Sequence, residues 1–171
     1  MKLVRTISTV LLLVSVAACS DKARTTAKIK TPAPPPFATN VDPTIFDETS
    51  TTIDNPWWPL KPGMQLTWEG HAFDGDERVR RKLVFTVTDL TKEIAGVRTL
   101  VGWDRDFNNG ILAESELIFL AQDKDGNVWH FGQYAELYNE EGQFDGGVAW
   151  LAGYVEGAKA GILMQANPQL G

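Results

Sequence analysis

The sequence predicts an all-β domain built as an antiparallel meander sheet, open or curled into a half-barrel. Three observations predict it. Apolar and polar residues alternate with a period of two in successive runs between Met64 and Tyr154. Short turns bearing Gly, Asn or Asp separate those runs. No helix-length amphipathic pattern stands out, apart from a short turn at Thr91 to Ala95. The clearest hairpin is central. Leu117-Ile118-Phe119-Leu120 enters a polar turn, Ala121-Gln122-Asp123-Lys124-Asp125-Gly126-Asn127, and Val128-Trp129-His130-Phe131 leaves it.

The 171 residues suffice for one domain, and the first 18 do not belong to it. Lys2 and Arg5 precede an apolar stretch from Thr6 to Ser15, and Val16-Ala17-Ala18-Cys19 follows. The stretch is too short for a spanning helix, which needs roughly 20 apolar residues. These residues resemble the bacterial lipoprotein signal, a box of small and apolar residues ending in Cys. That resemblance implies cleavage after Ala18, a diacylglycerol on the Cys19 thiol and an extracytoplasmic protein held in a membrane by its acyl chains. Ser20 implies the outer membrane if the host has two. The alternative is an ordinary secretory signal cleaved at the same bond. It leaves the chain's one cysteine as an unpaired thiol in an exported protein.

Residues 19–53 form the expected tether. Lys22, Arg24, Lys28 and Lys30 lie near the anchor, and Thr31-Pro32-Ala33-Pro34-Pro35-Pro36 favours extended polyproline chain. Ile45-Phe46 is a short element suited to docking on the domain. Removing Lys2 and Arg5 leaves 14 basic against 22 acidic residues, a formal charge of −8. That balance repels phosphate backbones and excludes nucleic acid as the expected partner.

The domain is expected to run from 54 to 171. Asp54-Asn55-Pro56-Trp57-Trp58-Pro59 is an irregular entry, because each Pro removes a backbone donor. Trp57 and Trp58 suit a cap on one end of the core; the functional alternative is an aromatic platform for a sugar ring. In the first strand Met64, Leu66 and Trp68 face inward. Val79, Arg81, Leu83, Phe85 and Val87 share a face of the second, and Val97, Thr99, Val101 and Trp103 a face of the third. The fourth runs from Ile111 to Ala121, with Glu114 and Glu116 outward and a bulge or two-sided burial at Leu117 to Leu120. The fifth is Val128 to Tyr138 and the sixth Val148 to Tyr154. Trp68, Trp103, Trp129 and Trp150 fall on four different strands and are expected to cluster.

Asn55-Pro56-Trp57-Trp58-Pro59-Leu60-Lys61-Pro62-Gly63, Trp68-Glu69-Gly70, Ala121-Gln122-Asp123 with Gly126-Asn127-Val128-Trp129 and Phe131-Gly132, and the segment Trp150 to Pro168 resemble a family of uncharacterised bacterial exported proteins. The resemblance spans about Asn55 to Gly171 and implies no chemistry. Members of that family run on through further strands. By that resemblance the chain is a partial sequence, cut to leave an unpaired sheet edge.

Candidate chemistry is sparse. Asp123, Asp125 and Asn127 alternate as calcium ligands do, but Gly126 stands fourth from Asp123 and the loop is too short to wrap a cation. A hairpin turn explains the same residues. Glu114 and Glu116, with Asp104 and Asp106, are carboxylates suited to acid–base hydrolysis only if they converge. His71 and His130 are the two histidines, too few for a zinc site. Ser115 lacks a nucleophile-elbow context, and Gly157-Ala158-Lys159-Ala160-Gly161 lacks the spacing of a phosphate loop, so no cofactor is implied. The expected function is non-catalytic binding in the cell envelope. Either a protein or a glycan such as peptidoglycan is the partner, and a carboxylate-based hydrolase is a further alternative.

Overall fold

The computed structural model describes Thr39 to Gln169. Cys19, the leader and the first part of the tether lie outside the described residues. Seven strands form one antiparallel sheet: β1 (Gln65–Asp74), β2 (Glu77–Ile94), β3 (Val97–Asn108), β4 (Ile111–Gln122), β5 (Val128–Tyr138), β6 (Phe144–Leu151) and β7 (Gly161–Met164). The order β1-β2-β3-β4-β5-β6 is a meander, and β7 adds to β5. The sheet does not close: β1 bounds one side, and β6 and β7 share the other. β5 pairs with β6 through Gly132–Tyr138 and with β7 through Val128–His130.

The strands match the expected alternation but run longer at the turns. β2 continues to Ile94, so the stretch expected as a short turn at Thr91–Ala95 is mostly strand. Ladder hydrogen bonds continue past the end of the apolar alternation. The sixth strand starts at Phe144, earlier than the expected Val148, and ends at Leu151. A bulge falls between Phe119 and Leu120 in the β4–β5 ladder, where residues 118–121 are buried on both faces.

Register assigns each residue to a face. Face A carries Phe85, Leu100, Ile118 and Leu120; face B carries Val101, Phe119, Ala121 and Phe131. Both faces are covered only at the end holding the β2–β3 and β4–β5 turns. There, Ile53, Leu60, Trp58 and Met64 pack on face A. Val41, Phe46, Ala152 and Ala160 pack on face B. The described part of the expected tether, 39–53, is therefore docked. Phe46 meets Phe131 edge-on at 5.5 Å and Trp129 at 6.0 Å, a burial worth about 2–3 kcal/mol. Ser50 Oγ donates to the Arg98 carbonyl at 2.7 Å, and Asn40 exchanges hydrogen bonds with the backbone of Ala160.

The expected tryptophan cluster is absent. Trp68 and Trp150 stand on face A, Trp103 and Trp129 on face B, so the pleat separates them two and two. Trp68 is 50% exposed, because no segment among the described residues covers the β1 edge at that level.

Candidate functional site

The other half of the sheet, toward the β1–β2, β3–β4 and β5–β6 turns, is left uncovered on both faces by the described residues. It presents two different surfaces.

On face A, register places Asp104 opposite Glu116 and Asp106 opposite Glu114. The four carboxyls and Leu83 line a pocket of about 130 Å³. Glu114 and Glu116 are thus not the solvated outward pair expected. They share a face with Phe85 and Ile118, because the bulge between Asp106 and Phe107 fixes which residues meet. Arg81 bonds Asp106. Asp104 Oδ1, Asp106 Oδ1 and Glu116 Oε2 are buried without a donor. Burial, reinforced by the charges of Glu114 and Asp104, pushes the Glu116 carboxyl up to about 7. Burial also raises Asp104, with Glu114 adding to it. A pocket this small holds side chains and a proton rather than a substrate, since ligand sites run to roughly 300 Å³ and more.

On face B lies an open groove of about 530 Å³. Two cross-strand rows build it. Trp103, Leu117, Tyr134 and Ala149 form one row; Arg105, Ser115, Glu136 and Gly147 form the next. Trp103 and Tyr134 stand as walls, and Ser115, Gly147 and Ala149 leave the space between and beside them. Trp103, Leu117 and Tyr134 are 38%, 36% and 39% exposed. Trp103 Nε1 donates to Ser115 Oγ at 3.0 Å, and the Arg105 guanidinium lies 4.1 Å from the Trp103 ring. Sequence reasoning missed this surface. Its signal was the parity of Trp103, Leu117 and Tyr134, hidden by assigning every tryptophan to the core.

The predicted candidates are elsewhere. Asp123 is the hub of the central turn. Its Oδ1 accepts from the backbone N–H of Asp125 and Asn127 at 3.0 and 2.8 Å, and its Oδ2 from Asn127 Nδ2 and Trp129 Nε1 at 2.9 and 2.7 Å. Both oxygens are committed to the turn, which supports the hairpin explanation over a calcium loop. Among the described residues no group of three or more His, Cys, Asp or Glu is placed to hold a metal ion. Asp123→Ala strips partners from four donors in a buried site. We expect a loss of about 2–4 kcal/mol in chemical denaturation, with Asp123→Asn costing less.

Trp57 and Trp58 do not form a shared platform. Trp58 stacks on Phe85 at 6.1 Å as part of the core, whereas Trp57 is 63% exposed with Nε1 bonded to the Ala166 carbonyl. Asn55 explains their placement. Its Oδ1 accepts from the backbone N–H groups of Trp57 and Trp58, and its Nδ2 donates to the carbonyls of Gly126 and Gln165. His130 lies apart from the carboxyls, packed on Trp150 at 5.1 Å, with burial lowering its pKa. No helix among the described residues is long and apolar enough to cross a membrane.

Comparison with protein-family models, with curated proteins and with solved structures found no match.

Proposed function

We propose that this chain is a lipid-anchored, non-catalytic binding module of the bacterial cell envelope. Acyl chains on Cys19 hold it on the extracytoplasmic side, and the face B groove is its ligand surface. The resemblance of residues 16–19 to a lipoprotein signal supports the anchoring. The observation that carries the binding role is the groove itself: two aromatic walls and an exposed leucine on a sheet face that no segment of the described chain covers. Contiguous exposed apolar surface of this kind marks interaction sites. The groove's size also lies within the range of ligand pockets.

The hydrolase alternative has one observation in its favour, the convergence of Asp104, Glu114 and Glu116 with a Glu116 carboxyl near neutrality. Its pocket, about 130 Å³, is less than half the volume at which ligand sites begin, roughly 300 Å³. The binding reading is therefore preferred.

Photocrosslinking in intact cells tests it. A photoreactive side chain in place of Leu117 is expected to give discrete adducts, and one in place of Thr49, at the covered end, none. An absence of adducts at 117, with the protein folded and exported, would remove the groove as the ligand surface.

A further inference from the structure

The groove is dipolar. Arg105 on β3 flanks the lining beside Trp103, and Glu136 on β5 is part of the lining, with Ser115 between them on β4. Two strand spacings, about 10 Å, separate the backbones that carry Arg105 and Glu136. The neighbouring row supplies an apolar floor, Leu117, between Trp103 and Tyr134. Lys92 borders the far side of Tyr134, its Nζ 5.7 Å from the ring centroid.

We infer that the groove binds a short zwitterionic peptide with free ends, its carboxylate on Arg105, its ammonium on Glu136 and an apolar central side chain on Leu117. This inference rests on the binding reading above. Three features support the pairing. An extended peptide advances about 3.3–3.6 Å per residue, so a tripeptide spans the two strand spacings from β3 to β5. The guanidinium is already held against the Trp103 ring. A fork held in place before the ligand arrives loses little freedom on gripping a carboxylate with two parallel hydrogen bonds. At the opposite end, Glu136 is positioned by the Tyr138 hydroxyl, which donates to Oε2 at 2.7 Å.

Charge disfavours the other occupants. An anionic polymer meets Glu136 at the same time as Arg105. A neutral glycan leaves both charges unanswered. A flat bilayer surface does not enter a groove between two aromatic walls.

The test uses the full mature lipoprotein in detergent micelles and calorimetric titration with the tripeptide Ala-Leu-Ala. Saturable binding is expected. C-terminal amidation or Arg105→Gln weakens it about tenfold or more, and N-acetylation or Glu136→Gln weakens it severalfold. Trp57→Ala leaves it unchanged. Urea midpoints matching wild type establish that the variants are folded. Equal binding of the doubly blocked peptide, or no saturable heat with any free-ended tripeptide, overturns the inference. Titration with a neutral chitin trisaccharide separates the failures. Binding of that sugar, indifferent to Arg105→Gln, overturns the peptide assignment and leaves the binding module standing. Absence of the Leu117 adducts in cells removes the groove as the ligand surface, and the peptide assignment with it.

Discussion

Gly132→Ala is expected to cost the fold at least about 3 kcal/mol, read as a lowered urea midpoint. Gly132 sits where β5 passes from β6 to β7, beside the bulge opposite Phe119. Its φ is +145°, and a Cβ there would stand 2.2 Å from the Trp150 carbonyl oxygen and 2.9 Å from Leu151 Cα. Both obstacles are backbone, so no rotamer change relieves them. Relief requires prising β6 from β5, which also displaces Ala152 from face B and the Ala149 side of the groove. Gly102 is a milder case. Its missing Cβ lets the Phe85 ring lie across β3, and the obstacle to a methyl there is a side chain. Gly102→Ala is expected to be tolerated better than Gly132→Ala.

The second large effect is a reversal of pH dependence at Glu116. Its folded pKa, about 7, lies above the ordinary value of 4.5. Between those values the folded state binds more protons than the unfolded state, so stability falls as pH rises and levels off above 7. Below 4.5 both states are protonated and the group contributes no slope. Glu116→Gln cannot ionise, and its amide supplies a donor to a surface of orphaned carboxyl oxygens that includes Asp104 Oδ1. The variant is expected to be more stable than wild type at pH 8 and close to it at pH 4. Discounted for the solvent that still reaches the group, the gain is about 1–2 kcal/mol. Thermal unfolding of both proteins from pH 4 to 8 measures it. Parallel curves would mean that Glu116 ionises over the same pH range folded and unfolded and that the quartet is simply solvated.

Much of the sheet was legible because its signals are local. Val128–Tyr138 alternates within itself, and Asp123 and Gly126 mark their turn without reference to any distant residue. What could not be read depends on partners far along the chain. Val41, Phe46 and Ile53 dock singly, with no periodicity, among prolines and threonines that read as spacer. β7 is a four-residue strand whose only reason to exist is the free lower edge of β5. The carboxyl quartet and the groove both require the β3–β4 register, which the bulge beside Asp106 sets. Counting tryptophans by strand suggested a cluster; counting them by pleat parity divides them between faces and leaves Trp103 available to the groove.

The proposed function depends on a binding surface presented from a membrane. The most direct measurement is the mass of the N-terminal proteolytic fragment of the protein recovered from washed cells. A fragment beginning at Cys19, heavier by its acyl groups and confined to the membrane fraction, is predicted. An unacylated fragment with a free thiol, recovered from the aqueous fraction, would contradict it.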